Sequence, residues 1–120
     1  MFHVTKRYGS DAPALCDLNL SIGKGEFVFL TGPSGAGKTT LLKLIFCAEK
    51  ATSGQLLVGG RNVARLKDSA IPYLRRQIGV VFQDFKLLPN RTVADNVALT
   101  LDVLGMSRRD SDRKVAAMLK

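Results

Sequence analysis

The stretch Gly32-Pro33-Ser34-Gly35-Ala36-Gly37-Lys38-Thr39 satisfies G-x-x-x-x-G-K-[ST] at every position. Each requirement has a physical source. Glycines allow left-handed turns that aim consecutive backbone N–H groups into one concavity, and they let the backbone come close to phosphate oxygens. The helix that follows adds N–H groups without intrahelical partners and the positive end of its dipole. Lys38 brings a mobile charge for the β- and γ-phosphates, Thr39 a hydroxyl for Mg²⁺, and Thr40 a further hydrogen bond toward the α-phosphate. Average residue usage makes a chance match in a chain this long an event on the order of one in a few hundred sequences. Here the match follows a strand-like apolar run and opens a helical one, as the mechanism requires. The segment reads as a nucleoside triphosphate loop.

Outward from it, Phe27 to Leu30 is a continuous apolar run that suits a strand buried on both faces, and Lys38 to about Ala48 is helical. Upstream, Cys16 to Ser21 alternates apolar and polar, the mark of a half-buried strand, and Ile22 to Gly25 turns. Downstream, Thr52-Ser53-Gly54 reads as a turn, Gln55 to Val58 as a short strand and Gly59-Gly60 as a hairpin turn. Ile78 to Phe82 is a second buried strand. Thr92 with Asp95 fits a capping box, with Val93, Val97, Leu101 and Leu104 on one helical face and Gly105 as the stop. Ser107 with Asp110 opens another helix, with Val115, Met118 and Leu119 on its apolar side. Buried strands alternating with helices make this an α/β fold.

The chain has 120 residues and a formal net charge of +8, with 46% apolar and 23% charged residues, which excludes intrinsic disorder and allows one domain at most. No apolar run reaches the ~18–20 residues of a membrane span, and the first residues carry no apolar core of a cleaved signal peptide. Cys16 and Cys47 have no partner motif and read as buried free thiols of a reducing compartment. The composition is that of a soluble cytoplasmic chain. Five Lys or Arg fall between Arg61 and Arg76, and Arg108, Arg109, Arg113 and Lys114 form a second group. Neither is interleaved with aromatics as a single-strand stacking platform would be, so both read as solvated faces and no nucleic-acid partner is expected.

The segments Thr31–Leu44 (TGPSGAGKTTLLKL), Leu74–Leu88 (LRRQIGVVFQDFKLL) and Arg91–Leu99 (RTVADNVAL) resemble the nucleotide-binding subunits of ABC transporters, and within them the branch that acts in bacterial cell division. The resemblance runs from Val4 to about Lys120. It implies a P-loop NTPase fold of the ABC nucleotide-binding type, with residues 1–120 as the N-terminal part of a single domain: antiparallel β elements, a partial parallel core sheet and helices. It implies ATP and Mg²⁺ as ligands. Residues Gly32, Pro33, Ser34, Gly35, Ala36, Gly37, Lys38, Thr39 and Thr40 match the Walker A loop. Tyr8 matches the aromatic that stacks on adenine, and Gln83 the Q-loop glutamine that reaches Mg²⁺ beside Thr39. The loop Asp84–Arg91 would receive an FtsX-like integral membrane subunit. Two complete domains would sandwich ATP as a homodimer, held peripherally on the inner face of the plasma membrane by that subunit.

The family's hydrolytic residues do not occur in these residues: no Walker B Asp with its following Glu, no LSGGQ signature, no switch His. Thr52-Ser53-Gly54-Gln55 lacks the paired glycines of a signature, Leu99-Thr100-Leu101-Asp102 sits on a helical repeat with Val103 where Glu should follow, and His3 lies at the wrong end. The segment therefore reads as the N-terminal half of such a domain, also short at its start, able to bind ATP and Mg²⁺ but holding no catalytic residue. An ATP-binding subunit of a lipoprotein or macrolide exporter is a second reading within the family. A small-molecule P-loop kinase, with Arg75, Arg76 and Arg91 as lid candidates, is a reading outside it, and a basic nucleic-acid module comes last. The resemblance also implies that strands of later sequence lie between those ending at Thr31 and Phe82. The isolated chain is thus expected to aggregate readily and to show no cooperative unfolding near ~60 °C, measurable by scanning calorimetry.

Overall fold

The computed structural model describes residues 1–10 and 12–120, which divide into two units, Met1–Ile78 and Gly79–Lys120. In the first unit, β1 (Phe2–Lys6) is the middle strand of an antiparallel sheet, flanked by β2 (Leu15–Leu18) and β3 (Ser53–Gln55). Val4 faces Leu18, and Thr5 faces Ser53. His3 takes a left-handed φ of 51° where the β1–β3 register slips and Asp17 one of 49° where the β1–β2 register slips, and their side chains pair at 2.7 Å. The alternation expected over Cys16–Ser21 holds at Leu18 and Leu20, which turn inward, whereas Cys16 is exposed. Both thiols are free; Cys47 alone is buried as expected.

Helix α1 (Lys38–Ile45) follows the phosphate loop and buries Leu41 and Leu44. Leu44 joins Val4, Cys47, Leu56, Val63 and Leu74 in the core of this unit. The chain then makes a hairpin, β4 (Leu57–Val58) and β5 (Arg61–Asn62), two 3₁₀ turns at Val63–Arg65 and Asp68–Ala70, and the short helix α2 (Ile71–Arg75) with Pro72 in its first turn. Arg75 ties α2 to the end of α1: its Nε donates to the Phe46 carbonyl at 3.0 Å and its Nη2 to that of Cys47 at 2.9 Å.

The second unit is a helical hairpin, α3 (Val93–Val103) and α4 (Arg108–Met118). Thr92 and Asp95 form the expected reciprocal capping box, and Ser107 accepts from the Asp110 N–H at 3.3 Å. Gly105 has φ 75° past the end of α3, the left-handed stop that the sequence suggests. Asn96, on α3, staples the loop before it. Its Oδ1 accepts from the Leu88 N–H at 2.8 Å, and its Nδ2 donates to the carbonyls of Leu88 and Thr92 at 3.2 and 2.9 Å.

Three sequence expectations need correction. Phe27–Leu30 and Ile78–Phe82, read as buried parallel strands, belong to neither sheet of the described residues, in which every ladder is antiparallel. A strand buried on both faces is held by hydrogen bonds along both edges. Without them the apolar side chains stay open: Phe27 is 83% exposed and Val81 97%. Ser53-Gly54, read as a turn, belongs instead to β3. Gly54 is there because its backbone, at φ 90°, lies so close to β1 that a Cβ would stand 2.2 Å from the His3 carbonyl oxygen. Gly54→Ala should therefore destabilise the chain by about 2 kcal/mol or more, read from urea denaturation. Gly59→Ala in the β4–β5 turn, where a Cβ meets nothing within 4 Å, should cost only about 1 kcal/mol.

Candidate nucleotide site

The phosphate loop is held at its far end by close packing. There Gly37, φ 85°, packs against the entry to β2: a Cβ on it would stand 2.4 Å from the Ala14 carbonyl oxygen and 2.8 Å from Leu15 Cδ2. That contact fixes where α1 begins. Gly37 serves as its N-cap without any side-chain hydrogen bond, and no acidic residue stands in the first turn. The contrast with α3 and α4 is plain, since each carries a hydroxyl cap and an Asp at its N-terminus. An N-terminus with neither cap nor carboxylate leaves its N–H groups and dipole to an external anion.

Lys38 lies folded over the loop, with Nζ donating to the carbonyls of Gly32 and Pro33, each at 2.7 Å. Gly32, Pro33, Ser34, Gly35 and Ala36 are all exposed, Gly37, Lys38 and Thr40 are half-buried, and the Thr39 hydroxyl stands at the surface. Triphosphate and Mg²⁺ suit these residues: a cationic arm, a main-chain concavity and a hydroxyl. No cluster of three or more His, Cys, Asp or Glu occurs among the described residues.

Tyr8, from the loop after β1, comes to the same helix. Its hydroxyl stands 3.4 Å from Thr40 Oγ1 and donates to the Glu49 carboxylate. Lys6 Nζ lies 4.9 Å from the ring centre. Glu49 also faces Lys43 Nζ at 3.1 Å and Lys6 Nζ at 3.4 Å. Tyr8's hydrogen bond, then those of Lys43 and Lys6, holds the Glu49 carboxyl below the usual glutamate range, against an opposing push from desolvation. Sequence reading missed Glu49, Lys43 and Lys6; Glu49 and Lys43 lie too far from Tyr8 along the chain for spacing to reveal them, and Lys6, though close by, belongs to no motif.

Gln83 belongs to the second unit, exposed on a turn in which the Phe85 N–H donates to the Phe82 carbonyl at 3.2 Å. Phe85 and Lys86 follow with left-handed φ of 56° and 51°. Lys86 pairs with Asp84 and lowers its carboxyl pKa.

A glycine-rich loop that leaves a helix N-terminus uncapped beneath a lysine defines a P-loop nucleotide-binding domain. The chain belongs to the ABC transporter family, whose model matches residues 15–120. It is 50% identical over 119 residues to the cell division ATP-binding protein FtsE of Mycobacterium tuberculosis, covering 98% of this chain and 52% of that one. The FtsE of Escherichia coli is 48% identical over 117 residues, covering 98% and 53%. Among solved structures, the dimeric post-hydrolysis state of the ATP-binding cassette MJ0796 bound to ADP and Pi superposes with a TM-score of 0.86 at 36% identity, covering 97% of this chain and 53% of the other. The chain spans about half the length of the curated relatives it matches. No helix of the described residues is long and apolar enough to cross a membrane.

The Glu49 cluster sets a pH dependence. A carboxyl whose folded pKa is depressed adds stability that is fully present above the unfolded value, about 4.3, and is lost as pH falls through the folded one. Glu49→Gln should flatten the acid limb of the stability–pH curve below about pH 4.5 and lower the plateau above it, measured by urea midpoints at successive pH values.

Proposed function

We propose that this chain is the ATP-holding part of an ABC-type ATPase of the cell-division kind, binding ATP with Mg²⁺ and working with an FtsX-like membrane subunit. The carrying observation is the bare N-terminus of α1 with Lys38 over it. In this reading the phosphates take the N–H groups of the loop and first helical turn, and Lys38 exchanges its two carbonyl acceptors for phosphate oxygens. Such exchange gives the ammonium anionic acceptors in place of neutral carbonyls, so that both partners of each bond are charged. Thr39 would hold Mg²⁺ through its hydroxyl, and the ion would supply charge neutralisation at the phosphates. Tyr8 stacks on the adenine, and Thr40 adds a bond on the α-phosphate side.

Residues 1–120 act as the N-terminal part of one nucleotide-binding domain. Part of the positioning and charge stabilisation comes from these residues, while the Walker B pair and switch His that act on water, and the signature offered across the dimer to the γ-phosphate, are absent from these 120 residues. Two such domains close as a homodimer on ATP, a reading supported by the dimeric state named for the MJ0796 cassette. The docking role of Asp84–Arg91 is supported by Phe85 and Leu87, which are 77% and 67% exposed on that loop. The domain then sits on the cytoplasmic face of the plasma membrane through its partner. The names of the relatives favour the cell-division complex over an exporter or a kinase.

Lys38→Ala should weaken Mg·ATP binding by at least about 100-fold in calorimetric titration, because a buried-edge cation on two phosphates is removed. Retained affinity would overturn the phosphate-loop reading. Gln83→Ala should leave affinity within about twofold yet uncouple nucleotide hydrolysis from the membrane subunit, assayed in the assembled complex.

A further inference from the structure

Five side chains from three parts of the chain meet beside the phosphate-loop helix. Lys6 ends β1, Tyr8 follows it, Thr40 and Lys43 lie on α1, and Glu49 lies beyond the end of α1. The Glu49 carboxylate joins them. One oxygen accepts the Tyr8 hydroxyl and faces Lys6 Nζ at 3.4 Å; the other accepts from Lys43 Nζ at 3.1 Å. Lys6 lies at 4.9 Å over the centre of the Tyr8 ring, which remains 45% exposed.

We infer that Glu49 is a positioning residue for the nucleotide base: through the Tyr8 hydroxyl it fixes the ring, with Lys6 closing one face and the other left to stack on the purine. The inference rests on the reading of Tyr8 as the base platform. A tyrosine in a loop after a strand turns about two torsions, and immobilising such a side chain on binding costs about 0.5–1.5 kcal/mol. A carboxylate acceptor gives the hydroxyl a charge-assisted bond, and the two ammonium groups in turn hold the carboxylate in place. The ordering is thus complete before the nucleotide arrives. Because Lys43 and Thr40 sit on α1, the ring is also referenced to the helix that carries the phosphates. Base platform and phosphate cradle are then set at one spacing.

The test separates base from phosphate. Affinities for Mg·ATP and for Mg·tripolyphosphate, which has no base, are measured by calorimetric titration on the full chain carrying E49Q, Y8F, both together, or Y8A. E49Q should weaken ATP by about three- to tenfold while tripolyphosphate stays within about twofold, and Y8F should do the same. The double variant should fall no further than Y8F alone, since both changes act on the one Tyr8–Glu49 hydrogen bond, Y8F by deleting its donor and E49Q by removing the charge of its acceptor. A lower ratio of ATP to tripolyphosphate affinity in Y8A, with E49Q and Y8F unchanged, would overturn the role of Glu49 and leave Tyr8 as the platform. An unchanged ratio in Y8A would remove the platform itself, and with it this inference. Equal loss of both ligands in E49Q would mark Glu49 as a tie between β1 and α1 only, which also overturns it. Should E49Q fold poorly, Y8F, which deletes a single hydroxyl, carries the same decision.

Discussion

No side chain fits between Gly37 and the entry to β2. With a Cβ placed 2.4 Å from the Ala14 carbonyl oxygen, any other residue would push the loop off the sheet. Because the Ala14 carbonyl and the Leu15 side chain close the gap, α1 starts in a fixed place against the antiparallel sheet, and Leu44 joins Val4 in the core. The uncapped N–H groups of the first turn, the arm of Lys38 and the hydroxyls of Thr39 and Thr40 are all referenced to that point. The anion site is a consequence of one close contact at Gly37.

The excess of positive charge acquires a more specific meaning in this frame. Lys6 and Lys43 are engaged by Glu49, Lys50 by Asp68, and Arg75 by the carbonyls that end α1. Arg76 lies 5.2 Å over the Tyr73 ring. Within the basic stretch from Arg61 to Arg76, Arg75 is thus occupied in holding the fold and Arg76 lies against an aromatic ring. Lys38 differs from these: its acceptors are loop carbonyls that a phosphate can replace.

What could be read from the sequence follows from how local each signal is. Helix α1 and the caps at Thr92 and Ser107 rest on neighbours within four residues, and the structure shows them, whereas the alternation over Cys16–Ser21 holds only in part. Strand β3 was hidden because Ser-Gly is turn chemistry, and only the close approach to His3 explains a glycine there. The apolar runs at Phe27 and Ile78 carry the composition of buried strands, but composition does not supply a pairing edge, and they remain exposed. In the site, the phosphate loop was legible in full, since its residues are consecutive. The Glu49 cluster was not, because Tyr8 and Glu49 are 41 positions apart and only the β1–α1 geometry joins them.

The most direct measurement is a backbone amide NMR titration of the chain with Mg·ATP. The largest shifts are expected at the N–H groups from Gly35 to Thr40, with Tyr8 perturbed in the same step and AMP, which lacks the β- and γ-phosphates, producing no comparable shift. Changes confined to other residues at saturating Mg·ATP, or equal responses to AMP and ATP, would contradict a triphosphate site built on the open end of α1.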